Sequence, residues 1–258
     1  MEKRQTCDLA GIWRFEIDKE DRGFAEHWEK RRLTQTITLP GCLQAQGYGD
    51  AISEDTPWVQ SLYDALWYQR GEYAYAQENG TKVPFLSQPP RHYTGKAWYQ
   101  KTIFVPEKSD GFVGRLTLEN TKWKTTLWID GECKGSIVSL CAPHVYETGT
   151  LSAGEHIVTL CIDNGWQLPY RPDGHGVSDA LGATWNGVAG AITLELFNRV
   201  WIERVWVNAQ LPKAAVQVYL KNETSDTQNC IVRVQDIART DISAKMICTL
   251  TPGSQICE

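Results

Sequence analysis

The chain has 258 residues, 42% hydrophobic and 22% charged, the make-up of an ordinary globular protein, which excludes wholesale disorder. Its 26 basic and 31 acidic residues leave a net charge of −5, and no basic cluster is longer than Lys30-Arg31-Arg32; a nucleic-acid partner is therefore not expected. No apolar run reaches the roughly 18 residues of a membrane span, so no membrane partner is expected either.

The start, Met1-Glu2-Lys3-Arg4-Gln5, lacks the apolar stretch of a signal peptide. A cytoplasmic protein and a trimmed periplasmic or secreted one both remain open. The eight cysteines form no C-x-x-C and no zinc-like spacing with histidine. Free, mostly buried thiols are the expectation.

In chain order, the first alternating segments are Ile12–Ile17 and Leu33–Leu39. Between them, Phe24, His27 and Trp28 fall at helical spacing and predict a short helix over Phe24–Arg31. Period-two strands follow at Trp98–Val105, around Leu116 and Leu118, and at Thr125–Ile129, where Asp130-Gly131 predicts a hairpin turn. Val158, Leu160 and Ile162, and then Ile192, Leu194 and Leu196, alternate in the same way. The remaining candidates are Val205–Val207, Val216–Leu220, Ile231–Val234 and Met246–Leu250. Short strands joined by Gly, Pro and Asp turns predict an all-β fold, an antiparallel sandwich.

Two segments break this rhythm. Gly41 to Tyr93 is rich in aromatics, and Asn164–Gly190 is rich in glycine and carries Trp166, Tyr170, His175 and Trp185. Long loops on a β scaffold commonly carry binding residues; aromatics there can equally cover the ends of the sandwich. Nine of the eleven tryptophans precede residue 200, so a boundary is expected near Phe197–Arg204. The following stretch has too few strands for a complete immunoglobulin-like sandwich, as if the chain were cut within that domain.

Tests for catalytic chemistry fail in turn. Ser178 lies near His175 and Asp179, but the surrounding residues are not a G-x-S-x-G elbow. Asp163, Asp173, His175 and Asp179 have no metal-motif spacing, and Gly187-Val188-Ala189-Gly190 lacks the Lys and Ser/Thr of a phosphate loop. Asp50, Glu54 and Asp55 are better read as turn and surface carboxylates than as the pair a glycosidase needs. No catalytic residue, metal or cofactor is expected. Aromatic faces beside Asn, Asp and His do suit sugars, whose rings have apolar faces and whose edges are hydroxyls.

A set of motifs narrows this reading. Leu9-x-Gly11-x-Trp13-x-Phe15-x-x-Asp18, Leu39-Pro40-Gly41 and Tyr93-x-Gly95-x-Ala97-Trp98-Tyr99-x-Lys101 are followed by Arg115-Leu116-x-Leu118-Glu119. Trp128-Ile129-Asp130-Gly131, Pro143-His144-Val145-Tyr146, Ile162-Asp163-Asn164 and Trp185-Asn186-Gly187-Val188-x-Gly190 then complete the order. Over residues 9–196 this succession resembles the N-terminal sugar-binding domain of glycoside hydrolase family 2.

The resemblance implies a galactose-binding-like jelly roll over residues 1–200 and a partial immunoglobulin-like β domain over 201–258. It implies a parent β-glycosidase of the β-galactosidase or β-glucuronidase kind, acting on a β-linked glycoside. That family's catalytic glutamates lie on a TIM barrel, so the barrel is the expected partner and this chain alone is expected to be inactive. Asn222-Glu223-Thr224 sits in a turn and is not the family's catalytic pair. The loop from Asp163 to Gly187 is expected to line one edge of the sugar pocket. Its candidate substrate-binding residues are Asn164, His175, Ser178, Asp179, Trp185 and Asn186. A free-standing carbohydrate-binding module and a purely structural module remain the alternatives.

Overall fold

The structure is a computed structural model that describes residues 4–53, 56–57, 90–167, 184–210, 212–239 and 241–257. It is all-β. The first twelve strands are β1 (Gln5–Asp8), β2 (Gly11–Asp18), β3 (Gln35–Leu39), β4 (Gly41–Cys42), β5 (Lys96–Val105), β6 (Phe112–Leu118), β7 (Lys124–Ile129), β8 (Glu132–Val138), β9 (His144–Leu151), β10 (Gly154–Asp163), β11 (Gly187–Val188) and β12 (Ile192–Phe197). The other five are β13 (Val200–Gln210), β14 (Lys213–Asn222), β15 (Gln228–Gln235), β16 (Ser243–Leu250) and β17 (Gly253–Cys257).

A four-stranded sheet, β1-β12-β6-β9, faces a six-stranded sheet, β3-β2-β5-β10-β7-β8. Every pairing in both is antiparallel. The alternation read from the sequence decides which side chains fill the space between them. Val158, Leu160 and Ile162 of β10 meet Trp13, Phe15 and Tyr99 from the same sheet and Leu116, Leu118, Leu194 and Leu196 from the other. Asp130 and Gly131 both have positive φ, at 52° and 80°, and they turn β7 into β8 as the Asp-Gly pair predicts.

The outer face of the six-stranded sheet is also partly covered. Trp98, Trp128 and Cys161 point away from the core and are roofed by Trp28 and Leu33. The Trp98 and Trp128 rings stack at 5.0 Å. Here the structure corrects the expected helix at Phe24–Arg31: the segment is a series of turns ending in a single 3-10 turn at Trp28–Lys30. The reason is local. His27 adopts a left-handed φ of 53°, and the Asp18 carboxylate accepts from the backbone N–H groups of Arg22 and Gly23 (2.8 Å each) and from Trp98 Nε1 (3.1 Å). Gly23 passes so close to Trp98 that a Cβ there would lie 2.3 Å from the indole nitrogen.

Beyond Phe197, β13, β14 and β17 form one sheet and β15 and β16 another, packed over Val218, Leu220, Cys248 and Leu250. No strand of these two sheets pairs with a strand before residue 198 among the described residues. The boundary expected near Phe197–Arg204 narrows to the link Asn198–Arg199, because β12 ends at Phe197 and β13 already starts at Val200. Phe197 and Trp201 stack at 5.8 Å on either side of it.

Candidate functional site

Both long loops leave the sandwich at the same end, and their roots are tied together there. The Leu39-Pro40-Gly41 motif leads into β4, and the Asn186-Gly187-Val188 motif forms β11; the two pair directly, with Gly187 opposite Cys42 and Val188 opposite Gly41. Gly187 has a φ of +140°, and a Cβ on it would lie 2.2 Å from the Gly41 carbonyl oxygen. Only glycine permits that approach.

Asn186 is the centre of a buried polar network, with none of its surface exposed. Its Nδ2 donates to Ile162 O at 2.9 Å, Gly95 O at 3.0 Å and Asn164 Oδ1 at 3.3 Å. Its Oδ1 accepts from the Tyr99 hydroxyl at 2.7 Å. Burial pushes the Tyr99 phenol well above its ordinary pKa, so the hydroxyl keeps the proton it donates. Asn164, 3% exposed, accepts from Gly95 N at 3.0 Å and donates to Tyr93 O at 2.9 Å and Thr184 Oγ1 at 3.2 Å.

Gln44 completes the network at 2% exposure. Its amide nitrogen donates to Tyr93 O and Thr184 O, at 3.2 and 3.3 Å, while its oxygen accepts from Asn186 N at 3.1 Å. Buried polar groups satisfied in this way rigidify what they join. What they join is β4, the approach to β5, the end of β10 and the strand β11. A further clamp sits at the foot of the aromatic-rich segment, where Asp50 and His92 exchange backbone hydrogen bonds of 2.7 and 2.9 Å.

Of the six candidate sugar-binding residues, Asn164 and Asn186 are thus brought together in this buried network. Trp185 follows Thr184 at the loop's exit and is half-buried. His175, Ser178 and Asp179 lie outside the described residues, as do Asp173, Glu54 and Asp55. Trp166 packs edge-on against Trp123 at 5.2 Å, and Asp163 Oδ1 caps the turn by accepting from Gly165 N at 2.8 Å. Asn222 is the buried last residue of β14 rather than a turn residue, and its side chain donates to Asp226 O and Leu250 O as the chain leaves the strand. Sequence reasoning missed Gln44; the one signal was a polar residue just after a Pro-Gly motif.

On the outer face of the six-stranded sheet a groove of about 610 Å³ is lined by Arg14, Lys30, Arg31, Arg32 and Lys101. Most of this charge is committed. Arg31 makes a bidentate pair with Glu16 at 3.0 and 2.6 Å, which holds that carboxyl below its ordinary pKa. Arg14 donates to Leu33 O, and Lys101 to Ala10 O and Ile12 O.

No protein-family model matches the sequence. A β-glucuronidase of Paenibacillus borealis is 27% identical over 128 residues, 50% of this chain but only 15% of that protein. Among solved structures, β-glucuronidase of Ruminococcus gnavus bound to uronic deoxynojirimycin superposes over 99% of this chain and 39% of its own, with a TM-score of 0.61 and 15% identity. The same enzyme in another crystal structure gives 99%, 39%, 0.60 and 15%. By fold the chain is similar to part of these β-glucuronidases, 39% of the solved chain. At that identity the structural likeness establishes the fold, an all-β sandwich arrangement shared along the whole chain. The chain spans well under half the length of the proteins it matches.

Proposed function

We propose that this chain is the non-catalytic sugar-binding region of a family 2 β-glycosidase and that its 163–187 loop forms one edge of the sugar pocket of a catalytic barrel. The observation that carries the reading is the clamp formed by Asn164, Asn186 and Gln44. Both roots of the loop are held by satisfied, buried hydrogen bonds, so the loop can present its side chains from a rigid base. In this reading Asn164 and Asn186 act from beneath, His175, Ser178 and Asp179 bond hydroxyls, and Trp185 offers a ring face to the sugar. A β-linked glucuronide is the first substrate to test, because the proteins that the chain resembles are named β-glucuronidases.

The test uses a form of the protein that includes a catalytic barrel, with Asp179→Ala and His175→Ala made separately. A lost hydrogen bond from a charged group to a sugar hydroxyl lowers kcat/KM roughly 10- to 100-fold. Unchanged kinetics in folded variants would leave the loop a structural role only.

A further inference from the structure

The smaller β unit holds a cluster of sulfur that sugar binding does not use. Cys230, Cys248 and Cys257 come from β15, β16 and β17, strands that belong to two different sheets. Cys230 stands directly opposite Cys248 in the β15–β16 ladder, and Cys248 Sγ lies 2.8 Å from Cys257 Sγ. All three are free thiols. Cys248 is buried, whereas Cys230 and Cys257 are half-buried. A groove of about 480 Å³ opens onto this spot, lined by Cys248 and Cys257 together with Met246, Leu250 and Gln255. Gln255 Oε1 is buried beside it with no hydrogen-bond donor among the described residues.

We propose that Cys248 and Cys257 are a disulfide-forming pair, oxidised by a small-molecule disulfide entering this groove, and that the bond staples the two sheets of the smaller unit. The more accessible Cys257 loses its proton and attacks one sulfur of the incoming disulfide, forming a mixed disulfide and releasing one small thiolate. Cys248, in contact with Cys257, then loses its proton and attacks the Cys257 sulfur, releasing the second thiolate. The two protein protons end on the two small thiols. The protein pair is oxidised by two electrons, and the small disulfide is reduced by the same two. Thiolate is the attacking species, and burial, followed by the neighbouring Cys248 thiol, pushes Cys257 up to about 11. The exchange is therefore slow at neutral pH and speeds up about tenfold per pH unit below that value. Cys230 is the competitor, because it faces Cys248 from the other strand.

Trypsin separates these possibilities. Cys248 and Cys257 share the peptide Met246–Glu258, and Cys230 falls in Asn222–Arg233. The intact chain is incubated with oxidised glutathione at about pH 8.5, then denatured, alkylated, digested and weighed. The expected product is Met246–Glu258 without alkyl groups and lighter by two hydrogens. Cys230→Ser leaves that product unchanged, and Cys248→Ser traps glutathione on Cys257. A cross-link between the two peptides would overturn the pairing. Full alkylation of Met246–Glu258, in wild type after prolonged oxidation, would overturn the proposal.

Discussion

The side-chain amide of Asn186 donates to the side-chain oxygen of Asn164 across 3.3 Å, joining residues 22 positions apart at the two roots of one loop. Because the same amide also holds Ile162 O and Gly95 O, the loop closes at once onto β10 and onto the residue that leads into β5. Truncating this group orphans the buried Tyr99 hydroxyl and takes the side-chain donor from Ile162 O, while Gly95 O keeps the Asn164 N–H at 3.3 Å. Each such orphan costs about 1–3 kcal/mol. Asn186→Ala is expected to destabilise the protein by about 3–4 kcal/mol, read from urea unfolding. A loss below about 1 kcal/mol would mean that water replaces the network.

Gly187→Ala is a second, independent probe of the same base. The added methyl meets the Gly41 carbonyl oxygen at 2.2 Å and sits on a φ of +140°. Backbone strain of this kind alone costs about 1–3 kcal/mol, and separating β4 from β11 adds to it. The thermal midpoint should fall by several degrees, and hydrogen exchange should quicken at Leu43 N, which is bonded to Asn186 O. A variant as stable as wild type would show that the β4–β11 pairing is dispensable.

His156 should make stability depend on pH near neutrality. Its Nδ1 lies 2.6 Å from Asp130 Oδ2 and its Nε2 lies 2.8 Å from Ser152 O, so both ring nitrogens face acceptors. Burial opposes the charged ring, but the bonds to Ser152 O and Asp130 outweigh it and raise the pKa above 6.5. A raised folded-state pKa gives stability that is complete below the unfolded value and is lost as pH rises through the folded one. With Asp130 half exposed, the effect stays under about 1 kcal/mol. The stability gap between wild type and His156→Gln should narrow from about pH 6 to about pH 8. A gap that widens would contradict the charged-ring assignment.

The chain by itself should hydrolyse neither aryl β-glucuronides nor aryl β-galactosides. Family-type hydrolysis requires two carboxyl groups held across one glycosidic bond, and the carboxylates of the described wall are spent on turns and ion pairs, as with Asp163 on Gly165 N and Asp50 on Lys19. Turnover abolished by changing one glutamate of this chain would overturn the proposed function.

What the amino-acid sequence determined by itself was sidedness. Val158, Leu160 and Ile162 point inward because strand side chains alternate with period two, and every segment read in that way falls in a strand apart from Leu33 and Thr34, which precede β3. The Asp130-Gly131 turn was legible for the same local reason, since two positive φ values suit that pair. The tertiary structure decided what non-local partners imposed. Phe24, His27 and Trp28 have helical spacing, yet Asp18 and the Trp98 ring fold the segment into turns. Asn164 and Asn186 read as sugar contacts because both flank an aromatic loop, but partners up to 142 residues apart in the chain bury them. Periodicity records which face a residue takes; it carries no record of which distant backbone groups will need a hydrogen bond once the loops meet.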